Sequence, residues 1–460
     1  MRRRRIIVGL AAVVALGGLL AAAPRGVARP NVVLIVVDTL RADRLGKGLT
    51  PFLDDLARRG VVFTHAYAPS SWTWPSVASL FTSRYVSQHG VVGFESRLAD
   101  DELTLAERLV PPARFGRLEE ILRRDYLAAG FSANWRLMKT LGYAQGFRTW
   151  RSYATRRKPR AGWLGRRCLR WLDSPRWWAA WNRWFPRPLL LYLHFMEPHA
   201  PYDPPARDRP SGVTDADVTE ANRKLFDRRT EHTPDDIRFV ASLYDGETAS
   251  LDRELRRLFG DLEARGVLRD AVVVFTADHG EEFAEHGLVQ HGQSLYEPAV
   301  RVPLVVLAPG LPAGRVIDAN VSLLDVAPTV LDLVGLPAEP RFEGRSLLPV
   351  VRGPSADADV MVELLPSSGA DELRRHNAAF VRGSMKLIVG RAVRGELFDL
   401  AVDPAESAPI PPGAVGDAAG LLRALQEKRA DVRTRAGAGA PSVPLDAGAR
   451  ERLRALGYVD

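Results

Sequence analysis

The run NVVLIVVDTL, residues Asn31–Leu40, decides the fold class. From Val32 to Val37 it is apolar and mostly β-branched with no polar alternation, the pattern of a central strand buried on both faces of a parallel sheet. It stops at Asp38. The same form returns in LLLYLHF (189–195), in AVVVFTADHG (271–280) and in VPLVVLAPG (302–310). Helix-like segments such as TPFLDDLARRG and SLLDVAPTVLDLVGL lie among these runs. Strands alternating with helices are the signature of an α/β fold.

In an open α/β sheet, ligands bind beyond the carboxyl ends of the strands. Asp38 and the pair Asp278-His279 stand at two such ends, so the fold is expected to bring them to one edge. SSWTWPSVASLFTSRY (70–85) then reads as the opening of a helix, with Thr73 before Pro75 at its mouth. A helix amino terminus aimed at the same edge favours a phosphate or sulfate group. Two carboxylates, an imidazole and a hydroxyl form a candidate divalent-metal site in which the Thr73 hydroxyl is activated as a nucleophile. Taken singly, an Asp at a strand end can be a helix cap and a Thr before Pro a turn residue. His194 and His199 in LHFMEPHAPYDPP, and His286 and His291 in EEFAEHGLVQHGQ, can likewise be packing or surface residues.

The remaining sequence bounds the molecule. At 460 residues, 46% hydrophobic and 26% charged, the chain is globular and long enough for two domains. Its net charge of +8 is largely arginine and fits a membrane surface or anionic ligands; no zinc-finger, homeodomain or RNA-recognition signature is present, and no nucleic-acid partner is expected. The single cysteine, Cys168, excludes an internal disulfide. MRRRR followed by an apolar run over residues 6–23, with Gly26-Val27-Ala28 as a cleavage site, reads as an export signal. An uncleaved anchor with its arginines kept inside is the alternative. From about Asp371 the pattern changes to short strands, AAFVRGSMKLIVG and ELFDL, then to an Ala/Gly/Pro-rich stretch (401–445) and a terminal helix. The expected organisation is a signal or anchor (1–28), a catalytic domain (30–370) and a smaller C-terminal sheet subdomain (371–460). RRCLRWLDSPRWWAAWNRWFPRP (166–188) mixes tryptophan and arginine as a membrane-headgroup segment does. Trp171, Trp178 and Trp181 can equally be the core face of a helix.

Taken in order, NVVLIVVDTLRADRLG, TPFLDDLARRGVVFTHAYAPSSWTWPSVASLFTSRY, LHFMEPHAPYDPP, LYDGETASLDREL, TADHGEEFAEHG and LFDLAVDPAE resemble the sulfatases of the alkaline-phosphatase superfamily over roughly residues 30–410. The resemblance implies an α/β core on a large mixed, mostly parallel sheet flanked by helices, with a smaller C-terminal sheet. It also implies a divalent metal, and hydrolysis or transfer of sulfate or phosphate esters through a covalent intermediate. Asp38, Asp278 and His279 match the metal ligands, and Thr73 the metal-bound nucleophile. His199 and His291 match positions that contact the ester or leaving oxygen, and Arg84 matches a basic residue after the nucleophile helix.

Departures from that pattern sharpen the chemistry. Formylglycine sulfatases read Cys or Ser, any residue, Pro, Ser, Arg, where this chain reads Thr73-Trp74-Pro75-Ser76-Val77, so no formylglycine is expected. Thr39 stands where a second aspartate is usual. A threonine intermediate has to be cleaved by water, which suits a phospho-threonine far better than a sulfo-threonine. The implied activity is therefore that of an exported hydrolase of phosphate, phosphonate or sulfate esters, phosphorus before sulfur. Its substrate is expected to be a small-molecule, glycan or lipid-linked anionic ester. An imidazole ligand favours zinc or manganese over calcium; Glu197 and His291 are spare ligands for a second ion. The expected location is the periplasm or the outer face of the inner membrane. Two other readings stand beside this one: a phosphoethanolamine-type transferase, usually richer in membrane spans, and an inactive sulfatase fold kept for binding. Metal content separates the last from an enzyme.

Overall fold

The computed structural model describes residues 29–111, 125–153, 158–174, 187–227, 231–354, 357–365, 377–390, 395–411, 418–437, 439–444 and 448. The signal or anchor segment, the tryptophan-rich residues after Ser174 and the expected terminal helix lie outside them. Among the described residues no helix is long and apolar enough to cross a membrane.

The core is an eight-stranded sheet of β1 (Val32–Val37), β2 (Val61–Tyr67), β3 (Leu127–Ser132), β4 (Thr149–Ser152), β5 (Leu189–Phe195), β6 (Val272–Ala277), β9 (Arg301–Leu307) and β10 (Arg315–Ser322), in the order β10-β2-β9-β6-β1-β5-β3-β4. A two-stranded hairpin, β7 (Glu282–Phe283) with β8 (Val289–Gln290), interrupts the sequence between β6 and β9. Every residue of β1, β5 and β6 is buried, as unbroken apolar runs require of strands covered on both faces. The VPLVVLAPG run differs from the other three: β9 is antiparallel to both β2 and β6.

Numbering the described helices of eight or more residues, the sheet is covered by α1 (Pro51–Arg59), α2 (Thr73–Thr82), α3 (Ala161–Leu172), α5 (Pro234–Ala264) and α6 (Val326–Leu333), while α4 (Asp215–Phe226) packs against α5. A Ser/Thr side chain accepting a backbone N–H at the amino end satisfies donors that a helix leaves unpaired. Thr233 does this for α5 and Thr214 for α4. In α3, Trp171 is 6% exposed and its ring lies 5.8 Å from that of Phe131, so this tryptophan of the membrane-like stretch is core. Cys168 beside it is fully buried, and burial pushes its thiol up to about 12, which keeps it inert.

The smaller sheet runs β11 (Val360–Glu363), β12 (Ala378–Arg382), β13 (Met385–Val389), β14 (Glu396–Asp399), all antiparallel. It begins before Asp371, because β11 pairs with β12 across the segment between them. Helix α7 (Ala418–Thr434) packs on it inside the stretch read as Ala/Gly/Pro-rich, burying Leu421, Leu425 and Val432. Val360, Val362, Ile388 and Phe398 meet Tyr67, Tyr296 and Val300 of the main body in one apolar cluster. Beside it the buried Lys386 bridges Glu297 at 2.8 Å and Glu406 at 2.9 Å. A buried charge has to be paired, and this one ties β13 to the turn before β9 and to the segment after β14.

Candidate active site

The register of the sheet builds the site. Val37 of β1 lies level with Ala277 of β6 and with Phe195 of β5, so the residues that follow, Asp38 and Asp278, emerge side by side. Asp38, Asp278 and His279 are all buried, and each offers a ligand atom within 4.8 Å of the others. Asp38 Oδ1 and Asp278 Oδ2 are buried without a hydrogen-bond partner among the described residues. His279 Nε2 sits 3.6 Å from the first and 3.7 Å from the second. Its Nδ1 faces the Gly280 carbonyl at 2.9 Å; a carbonyl can only accept, so Nδ1 carries the proton and Nε2 a lone pair. Two orphaned carboxylate oxygens and an imidazole lone pair converging in a buried space are the donor set of a cation, and these residues fit the divalent metal.

Electrostatics agree with that fit. The Asp278 carboxyl is pushed well above the ordinary range by burial and then by the Asp38 charge. Burial opposes the charge of Asp38 too, but His199, His194 and His279 around it outweigh the penalty and hold its carboxyl low. Burial also depresses His279, keeping it neutral and able to ligate.

Thr73 Oγ1 lies 3.2 Å from His279 Nε2, inside the same cluster. Thr73 is the first residue of α2, at the helix mouth as Pro75 suggested, and is buried, 3% exposed. Trp72 takes the cap position but its side chain does not cap the helix, and Pro75 falls third, where an N–H still has no partner within the helix. Ser76 Oγ ties α2 to the strand end by donating to the Asp278 carbonyl at 2.5 Å.

His199 and His291 join the cluster. Their ring centroids are 5.0 Å apart, and His291 is 4.4 Å from His279. Burial pushes His199 down to about 4 and His291 well below its ordinary value. His199 Nδ1 is held by the Ala200 carbonyl, and His291 Nδ1 by Glu281 Oε1 at 2.9 Å. Arg84 is not brought here: it follows the far end of α2 and pairs with Glu102 at 3.2 Å. Glu197 is turned elsewhere as well, accepting from the Ala161 N–H at the start of α3 at 2.7 Å, with burial raising its carboxyl to about 7.

Residues outside the expected set complete the site. Asn134 Nδ2 donates to Asp38 Oδ2 at 3.0 Å from just beyond β3, and His194 Nε2 lies 3.3 Å from the same oxygen. Tyr192 in turn holds His194 Nδ1 at 2.9 Å. Glu281, raised to about 7 by burial, accepts from Tyr202 at 2.7 Å through its second oxygen. Nothing in the sequence singled out Asn134, because β3, the strand that ends two residues before it, was not legible. Thr39, at φ 60°, turns the chain after Asp38 and gives its N–H to Asp278 Oδ1 at 3.3 Å. A β-branched residue in the left-handed region is strained, a cost met at functional sites.

The sulfatase family model matches residues 30–157 and 178–336, and a model of the C-terminal part of N-sulphoglucosamine sulphohydrolase matches residues 284–425. Mouse arylsulfatase K is 32% identical over 182 residues, a match spanning 38% of this chain and only 33% of the mouse protein. An arylsulfatase of Clostridium perfringens is 25% identical over 381 residues, 69% of this chain and 78% of that protein. Among solved structures, one in complex with its substrate D-glucosamine-2-N,6-O-disulfate has a TM-score of 0.69 at 19% identity, covering 88% of this chain and 98% of that one. The phosphonate monoester hydrolase of Agrobacterium radiobacter gives 0.66 at 21% identity, covering 91% and 100%. These two show the shared fold. The family model takes in well over half of the residues, and the chain belongs to the sulfatase family.

Proposed function

We propose that the protein is an exported, metal-dependent ester hydrolase that uses Thr73 as its nucleophile, with phosphate and phosphonate esters ahead of sulfate esters. The observation that carries this reading is the approach of Thr73 Oγ1 to His279 Nε2, 3.2 Å, within the Asp38, Asp278 and His279 cluster. Those three residues and Thr73 hold one divalent ion, zinc or manganese before calcium because one donor is an imidazole. When bound, the ion supplies Lewis-acid stabilisation of charge and lowers the pKa of a coordinated hydroxyl.

The side chains do the rest. Thr73 Oγ, its hydroxyl proton released to water, forms a bond to phosphorus as the ester P–O bond breaks. His199 or His291 gives a proton to the departing oxygen. Both rings are buried and neutral in the free protein, and an arriving anionic ester favours their protonated forms. Water then attacks the phosphothreonine and releases Thr73. No formylglycine chemistry is invoked, since threonine cannot be converted by that route. The orphaned Asp38 Oδ1 and Asp278 Oδ2 support an enzyme over a binding-only fold, which has no reason to bury two unpaired carboxylate oxygens.

The substrate is a small-molecule, glycan or lipid-linked anionic ester met in the periplasm or at the outer face of the inner membrane, a placement that rests on the N-terminal sequence alone. Purified protein, loaded with zinc or with manganese, is to be assayed against aryl sulfate, phosphate monoester, phosphate diester and phosphonate monoester. Turnover of phosphorus esters that disappears in Thr73→Ala is expected. Turnover of aryl sulfate alone, or turnover that survives Thr73→Ala, overturns the reading.

A further inference from the structure

The loop after β5 carries His199, and the ion pair of Lys158 with Glu247 grips that loop. Lys158 Nζ donates to the backbone carbonyl of His199, to that of Pro201 at 3.1 Å, and to Glu247 Oε2. An ammonium has three donors, and here each has an acceptor. Glu247, on α5, accepts the Asp203 N–H on its other oxygen at 2.9 Å. One lysine and one glutamate therefore fix the loop at residues 199, 201 and 203. The side chains are 9% and 1% exposed, and such charges are seldom buried without a task, because two ions have to be taken out of water.

Between the gripped points lies Tyr202, whose hydroxyl reaches Glu281, the partner of His291. The backbone that carries one imidazole thus also sets the hydrogen-bond chain that orients the other. From these contacts we infer that Lys158 and Glu247 are positioning residues: their ion pair fixes the His199 loop so that the imidazole meets the departing oxygen of the ester. The inference rests on the reading of His199 as the leaving-group donor.

The test uses the dependence of rate on the leaving group. A proton donor matters most when the departing oxygen is a poor leaving group, and contributes little when it leaves as 4-nitrophenolate. Lys158→Met, the double variant Lys158→Met/Glu247→Gln, which leaves no unpaired charge buried, and His199→Ala are compared on esters of 4-nitrophenol and of unsubstituted phenol. Bound zinc and melting temperature serve as folding controls. The expected result is a loss of about 10- to 100-fold in kcat on the phenyl ester, the scale of a misplaced catalytic group, with less than about threefold on the 4-nitrophenyl ester. If both Lys158 variants keep wild-type discrimination, lose rate equally on both esters, or fail to bind zinc, the pair is structural and the inference falls. If His199→Ala itself shows no discrimination, the donor reading fails first, and independently of Lys158.

Discussion

Asp278→Asn is expected to stabilise the metal-free protein while abolishing its response to metal. Asp38 and Asp278 offer oxygens within 4.8 Å of one another in a fully buried space. Two unit charges at that distance repel by about 3 kcal/mol at an effective dielectric near 20. The metal-free protein relieves the strain with a proton on Asp278, whose carboxyl is pushed up by burial and then by Asp38. The sign follows by linkage: an acid whose folded pKa exceeds its unfolded value adds stability below the unfolded value, and that stability is lost as pH rises through the folded one. Chelator-treated wild type should therefore lose stability as pH rises, and the Asn variant should not.

Asparagine keeps the oxygen that accepts from Thr39 and His279, and places a neutral amide where Asp278 Oδ2 faces His279 Nε2. The gap in favour of the variant should reach about 3 kcal/mol at alkaline pH and close on acidification. With metal at about one hundred times its Kd the wild type gains about 2.7 kcal/mol, the variant nothing. Thermal unfolding from pH 5 to 9, with and without zinc or manganese, measures both effects. A variant less stable than metal-free wild type at high pH, with an undiminished metal response, would refute the assignment of these carboxylates.

Thr73→Ala should abolish turnover and cost less than about 1 kcal/mol, since its hydroxyl is bonded to His279 and caps nothing; steady-state kinetics and melting curves check both halves. Asn134→Ala should weaken metal binding by about 10- to 100-fold by releasing Asp38 Oδ2. Calorimetric titration reads this directly, and unchanged affinity would show that Asn134 does not hold the ligand. Trp171→Ala should cost about 3–5 kcal/mol through the cavity left against Phe131, with no change in binding to anionic vesicles. Loss of vesicle binding without loss of stability would return Trp171 to the membrane.

The sequence by itself determined where the strongest strands are and what chemistry ends them. VVLIVV, LLLYLHF and VVVFTA announce burial on both faces, and polar residues that stop such runs stand at their carboxyl ends whatever the rest of the chain does. Asp38, Asp278 and His279 were legible for that reason, and Thr73 because Pro75 marks the opening of a helix. Strand direction was not: an unbroken apolar run reports burial and is blind to polarity, so β9 reads like its neighbours yet runs antiparallel. The small sheet was visible from β12 to β14, but its first strand, β11, stands apart in the chain from its partner β12 and was not assigned to it. Distances of this kind were beyond the sequence too. Arg84 follows the nucleophile helix closely in number, yet a ten-residue helix carries it to the far end from Thr73. Asn134, His194 and Glu281 belong to the site only because β3, β5 and β6 bring residues distant in the chain to one sheet edge, where a buried oxygen has to find its donor. Local pattern fixes an element and its faces; only tertiary packing decides which polar atoms face one another across it.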